Sequence, residues 1–95
     1  MTPSKKKIFF KTIKELKDNG TIEFMFNNEW YELKCFTTEY GDDQIDRSYS
    51  IGKLGEIMGE RMNLLKITDK YLTFYSFNLF KQQTTFKLPI DKIHI

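Results

Sequence analysis

The chain has 95 residues, 40% of them hydrophobic and 29% charged, with a net charge of +2; that is the balance of one globular domain over 1–95 with a modest core, and it excludes a wholly disordered chain. A single cysteine, Cys35, excludes an internal disulfide framework, and no apolar run approaches a signal-peptide core or the ~18 residues of a membrane span, so a soluble, cytoplasmic protein with no membrane partner is expected. The charge falls in three blocks: six lysines against two acids over 1–20, one lysine against seven acids over 21–46, and eight bases against four acids over 47–95; the acidic middle would repel phosphate and excludes uniform coating of nucleic acid.

In chain order, residues 1–7 offer little to bury and are expected to be disordered. Ile8 to Asn19 reads as a helix, with Phe9, Ile13 and Leu16 in one apolar stripe and Lys7, Lys11 and Lys14 on a neighbouring outward face. Ile8 and Phe10 fall off that stripe. Asn19-Gly20 is the expected stop, with Gly20 in the left-handed conformation. Thr21–Phe26 and Trp30–Thr38 alternate with period two, and asparagines at 27 and 28 suit a tight hairpin between them. Residues 39–50, with Gly41 and three aspartates, read as a loop. Ile51 to Met62 has helical spacing interrupted by Gly52, Gly55 and Gly59; a short helix capped by Ser50 is expected, its glycines there for close packing rather than for a flexible lid.

The remainder reads as a meander: a strand over 63–68, a turn at Asp69-Lys70, a long strand over 71–80, a turn over 81–83, and a last strand over 84–95. Pro89 belongs at an edge or bulge, because it cannot donate to a ladder. Tyr71 to Phe80 is apolar on both faces, so one face packs inward and the other needs a second cover. The expected fold is α+β, an antiparallel sheet of about five strands with one or two helices packed on one face, its last third able to curl toward a small barrel.

No catalytic constellation stands out. His94, the one histidine, sits near the chain end, and Cys35 lies on an apolar strand face where a thiol packs as a small hydrophobe. Glu39, Asp42, Asp43 and Asp46 concentrate carboxylates, but the calcium-loop spacing is absent. Gly52-Lys53 lacks the rest of a phosphate loop. No metal, no cofactor and no enzymatic activity are therefore expected.

Two binding surfaces are. The acidic residues Glu39, Asp42, Asp43 and Asp46 suit a basic groove on a protein partner, and Tyr75 and Phe77 would add an aromatic face there or in a homodimer. Alternatively, Lys7, Lys11 and Lys14, with the sheet aromatics, would hold nucleic acid. Ala and Val are absent and Lys outnumbers Arg 13 to 2, which points to an AT-rich gene, as in low-GC bacteria and their phages and plasmids. The expected function is a small non-catalytic binding protein that regulates or inhibits a macromolecular partner. By type of gene rather than by residue, that partner is a host defence nuclease, in the manner of an anti-CRISPR protein.

Overall fold

The computed structural model describes residues 3–56, 61–77 and 83–94, without the side chains of Leu65, Phe77, Gln83 and Thr84. Helix α1 (Pro3–Glu15) starts with proline, whose missing N–H costs nothing at the first helical position. Its first turn holds no acid, and Lys5, Lys6 and Lys7 follow, against the helix dipole. Packing must therefore hold it: Phe9 and Ile13 are fully buried, and Phe10 and Leu16 pack at the edge of the core. The expected stripe is thus the buried one. The helix, however, covers residues 3–7 of the stretch expected to be disordered and ends at Glu15 rather than Asn19; residues 1 and 2 lie outside the described residues.

The stop after it differs in mechanism from the expectation. Asn19, not Gly20, is left-handed, with φ of 65°. Gly20 is needed for space: a Cβ there would lie 2.9 Å from the Lys17 carbonyl oxygen, the acceptor of the Gly20 N–H at 2.8 Å.

Strands β1 (Thr21–Phe26) and β2 (Glu29–Tyr40) meet across Asn27 and Asn28, with φ of 51° and 60°. Two positive φ values in a two-residue loop make a type I′ turn, whose twist matches the hairpin. β2 continues into β3 (Gln44–Lys53) through Gly41-Asp42-Asp43, in unbroken register from Tyr40↔Gln44 to Tyr31↔Lys53. The segment expected as a loop is therefore the outer half of a long hairpin. Its strands carry polar residues on both faces, so the alternation that marks a half-buried strand is missing.

The expected helix over 51–62 is overturned in its described part. Ile51 to Lys53 finish β3, paired with β2, and Gly55 has a φ of 86°, which a right-handed helix excludes. Residues 57–60, with Gly59, lie outside the described residues.

β4 (Asn63–Ile67), β5 (Tyr71–Phe77) and β6 (Gln83–Pro89) form a three-stranded antiparallel sheet. A 3₁₀ turn (Ile90–Lys92) then leads to β7 (Ile93–His94), which pairs with β1. Pro89 ends β6 on that sheet's edge, where its missing donor is harmless. The expected last strand is thereby split, and Asn78–Phe80 of the expected long strand lie outside the described residues.

The fold is α+β, with the helix packed on a curled four-stranded sheet of order β3-β2-β1-β7 and a second, three-stranded sheet beside it. Among the described residues one bridge, between Tyr49 and Met62, joins the sheets, and the chain returns from β6 to β7 through the 3₁₀ turn. The strands thus follow chain order around a shared interior. One core fills it, with Phe9, Phe24, Leu33, Leu72, Phe74, Leu88 and Ile93 drawn from both sheets and the helix. On β5 the inward face is Leu72 and Phe74; on the other face Thr73 is also buried, while Tyr71 is exposed.

Cys35 and Tyr49 face each other across β2 and β3. Burial pushes the Cys35 thiol up, with Arg47 opposing and Asp18 adding to the rise. Burial also raises the Tyr49 hydroxyl, with Cys35 adding to the rise and Arg47 opposing it. Both groups hold their proton more tightly folded than unfolded. Their stabilisation is complete below the unfolded values, about 8.5 for a thiol and about 10 for a phenol, and is lost as pH rises above them. Urea midpoints should therefore fall above about pH 9, and fall less steeply in a Cys35→Ala, Tyr49→Phe double variant. Equal alkaline slopes in the two proteins would refute the assignment.

Candidate functional site

The outer half of the β2–β3 hairpin projects beyond the core as an arm. From Thr38 to Arg47 every residue is exposed, and the backbone ladder is what holds the two strands in register. At its base, the Asp18 carboxylate accepts the Thr37 N–H at 2.8 Å. Asp42 and Asp43 form the tip with φ of 69° and 59°, a conformation aspartate tolerates better than most residues.

Pairing distributes the other side chains over two faces. Tyr40 lies opposite Gln44, beside the Thr38–Asp46 pair, and Glu39 lies opposite Ile45 on the other face. Tyr40 and Ile45 are 54% and 55% exposed. Each face of the arm therefore shows one large apolar side chain next to a carboxylate. Residues 37–46 contain four carboxylates and no cation. Glu39, Asp42, Asp43 and Asp46 are thus brought together on one projecting element. They do not converge: among the described residues no three His, Cys, Asp or Glu side chains are placed to hold a metal ion.

Below the arm, β3 and β4 part after the Tyr49–Met62 bridge and leave a groove of about 760 Å³, with Lys14, Asp46, Arg47, Tyr49, Leu64 and Tyr75 on its walls. Three of the residues singled out in the sequence, Lys14, Asp46 and Tyr75, meet here. The expected Tyr75 and Phe77 face is described only at Tyr75, since the Phe77 side chain lies outside the described residues. Lys7, Lys11 and Lys14 form one exposed row along α1, with Phe10 and Glu15 in a shallow hollow between them. His94 is exposed at the end of β7.

Arg47 organises this region and was not visible as a candidate in the sequence. Its guanidinium donates to the Lys14 carbonyl and, at 2.9 Å, to the Leu16 carbonyl. These carbonyls lie at the helix C-terminus, where acceptors lack intrahelical partners and the dipole favours a cation. Arg47 thereby fixes α1 to the base of the arm. Arg47→Met keeps the aliphatic stem and removes the donors; it should lower stability by about 1–2 kcal/mol, read as a lower urea midpoint at unchanged slope. An unchanged midpoint would show that water replaces the guanidinium without loss. On the opposite face, the Arg61 guanidinium stacks 4.0 Å from the Phe36 ring centroid, which covers that ring at the root of the arm.

The sequence also concealed Tyr40 and Ile45. Their signal was an apolar residue on each side of Gly-Asp-Asp, the pattern of a hairpin tip. Compared with known proteins, the chain matches no protein-family model, no curated protein and no solved structure, so its function must be argued from its own residues.

Proposed function

We propose that this chain is a non-catalytic binding protein that regulates a macromolecular partner, engaging a basic surface of that partner with the β2–β3 arm. One observation carries the reading: an exposed arm with four carboxylates, no cation, and Tyr40 and Ile45 displayed on opposite faces. Interfaces draw affinity from a few aromatic or apolar anchors, while surrounding charge selects the partner and speeds encounter. Basic surfaces of this kind belong to proteins that handle nucleic acid. Occupying one would exclude the nucleic acid, so the sharper form of the proposal is an inhibitor of a nuclease.

The experiment compares the wild type with an Asp42→Asn, Asp43→Asn, Asp46→Lys variant as immobilised bait, with captured proteins quantified by mass spectrometry. The proposal requires a partner that the wild type retains and the variant loses, and whose nucleic acid competes with the wild type. Equal capture by both baits defeats it. Direct, salt-sensitive binding of DNA or RNA by the free protein, measured by fluorescence anisotropy, would shift the reading to the lysine row at 7, 11 and 14.

A further inference from the structure

The groove below the arm is an interruption between two sheets, and two of its walls are strand edges. Tyr49 donates its N–H to the Met62 carbonyl at 2.6 Å and accepts the Met62 N–H at 2.7 Å. Main-chain groups alternate sides along a strand. Arg47 and Ile45, two and four residues from Tyr49, therefore turn their N–H and C=O the same way, toward the β4 side. Thr37, paired with Arg47, confirms the phase by sending its own N–H away from β3 to Asp18.

On the other wall the main-chain groups of Met62 face β3, so those of Leu64 do too, while the register sets Asn63 beside Tyr75 and Leu64 beside Phe74 on β5. Continuing the bridge would set Arg47 opposite Leu64. No such pairing forms among the described residues. Instead the register of β4 shifts between Leu64 and Lys66, and a bulge of this kind bends a strand. The seam that results presents main-chain donors and acceptors from both sides, in a groove whose volume of about 760 Å³ lies in the range of ligand sites.

We propose that the seam between β3 and β4 is a docking slot for an extended, lysine- or arginine-bearing segment of the partner protein, which adds as a strand along the β3 edge. This inference rests on reading the arm as a partner-binding element, and it adds the mode of binding: main-chain pairing gives affinity and alternate side chains give specificity. A strand laid on β3 and running outward passes Asp46 and reaches the tip carboxylates Asp42 and Asp43, which fixes the sign of its charge. At the inner end Arg47 is already engaged by the helix carbonyls, and Lys14 stands on the helix wall. A second copy of this chain is a poor occupant. Two β3 edges paired about a two-fold axis at Asp46 would set that carboxylate against its own copy, and like charges directly opposite are destabilising.

The test uses ¹⁵N-labelled protein and two short capped peptides of alternating lysine and threonine. One is unmodified. The other has every backbone nitrogen methylated, which keeps the charges and removes the donors. The unmodified peptide should slow amide exchange at Ile45, Arg47 and Leu64 by about tenfold or more, and the methylated peptide should not. Ile45→Pro removes a donor on the open side of β3 without touching the β2 ladder, and should weaken the unmodified peptide at least about tenfold. Equal binding of the two peptides overturns the slot, as does failure of the unmodified peptide to protect these amides. Protection that rises with protein concentration alone assigns the seam to a second copy and also overturns it. Failure here is separable from failure of the arm: equal peptide binding together with loss of capture by the neutralised variant would remove the slot and leave the arm in place.

Discussion

Neutralising the tip with Asp42→Asn and Asp43→Asn and reversing Asp46 with Asp46→Lys should weaken partner binding about 100-fold, a change of about 2.7 kcal/mol, while leaving the fold intact. The arm over residues 37–46 would pass from four carboxylates and no cation to electrical neutrality. Long-range attraction to a basic surface then disappears, and the loss should appear first in the association rate and in its salt dependence. The substitutions are chosen for the backbone. Asp42 and Asp43 have φ of 69° and 59°, where asparagine is tolerated and lysine is strained. Asp46 is extended and exposed, opposite Thr38, so lysine fits there. A melting temperature within a few degrees of the wild type checks that the fold survives. If affinity is unchanged in this variant, the acidic arm does not contact the partner, and Tyr40 and Ile45 need another explanation.

The legibility of the molecule follows burial. Where one face meets the core, the sequence announces its structure: Phe9, Ile13 and Leu16 at helical spacing, Phe24 between Glu23 and Met25, Leu33 and Cys35 two apart, all buried or packed against the core. The Asn27-Asn28 turn was readable because positive φ at two successive positions selects for asparagine or glycine. The α+β class with a helix on an antiparallel sheet was legible from these parts. The outer half of β2–β3 was not, because it buries neither face; its order comes from main-chain pairing, which leaves no trace in side-chain pattern. The glycine-rich stretch failed for a related reason. Ile51 and Leu54 mimic helical spacing, yet Ile51 is committed to Leu33 across the hairpin and Gly55 to a left-handed turn. Of the candidate site, the four carboxylates were readable as composition. Their gathering on one arm rests on main-chain pairing, the seam beneath it on the Tyr49–Met62 bridge, and the capping by Arg47 on contacts with Lys14 and Leu16 more than thirty residues away; no local side-chain pattern encodes any of these.

Phe9→Ala should be among the most damaging single substitutions, costing about 3–5 kcal/mol against the 5–15 kcal/mol typical of a whole domain. Phe9 is fully buried, and its ring meets Phe24 edge-on, with centroids 5.9 Å apart and planes at 78°. That pair joins α1 to β1, and truncation removes both the buried area and the edge-to-face contact. The helix is held by tertiary contacts, this one together with Ile13, Phe10, Leu16 and the Arg47 cap, rather than by its own propensity. Thirteen residues is near the lower limit for an isolated helix in water, and its lysine-laden first turn opposes the dipole. Loss of about 3 kcal/mol should lower the melting temperature by at least about 12 °C in a domain of this size. The neighbouring Ile8→Ala is the decisive control: Ile8 is 62% exposed, and its removal should cost no more than about 0.5 kcal/mol. A large loss at Ile8 with a small one at Phe9 would mean that α1 docks through a different face. The two sites also separate stability from binding. Arg47 links the helix end to the base of the arm, so undocking α1 should loosen the arm and the seam together. Below its melting temperature, Phe9→Ala should therefore bind the partner in proportion to its folded fraction, whereas the neutralised arm fails to bind while fully folded.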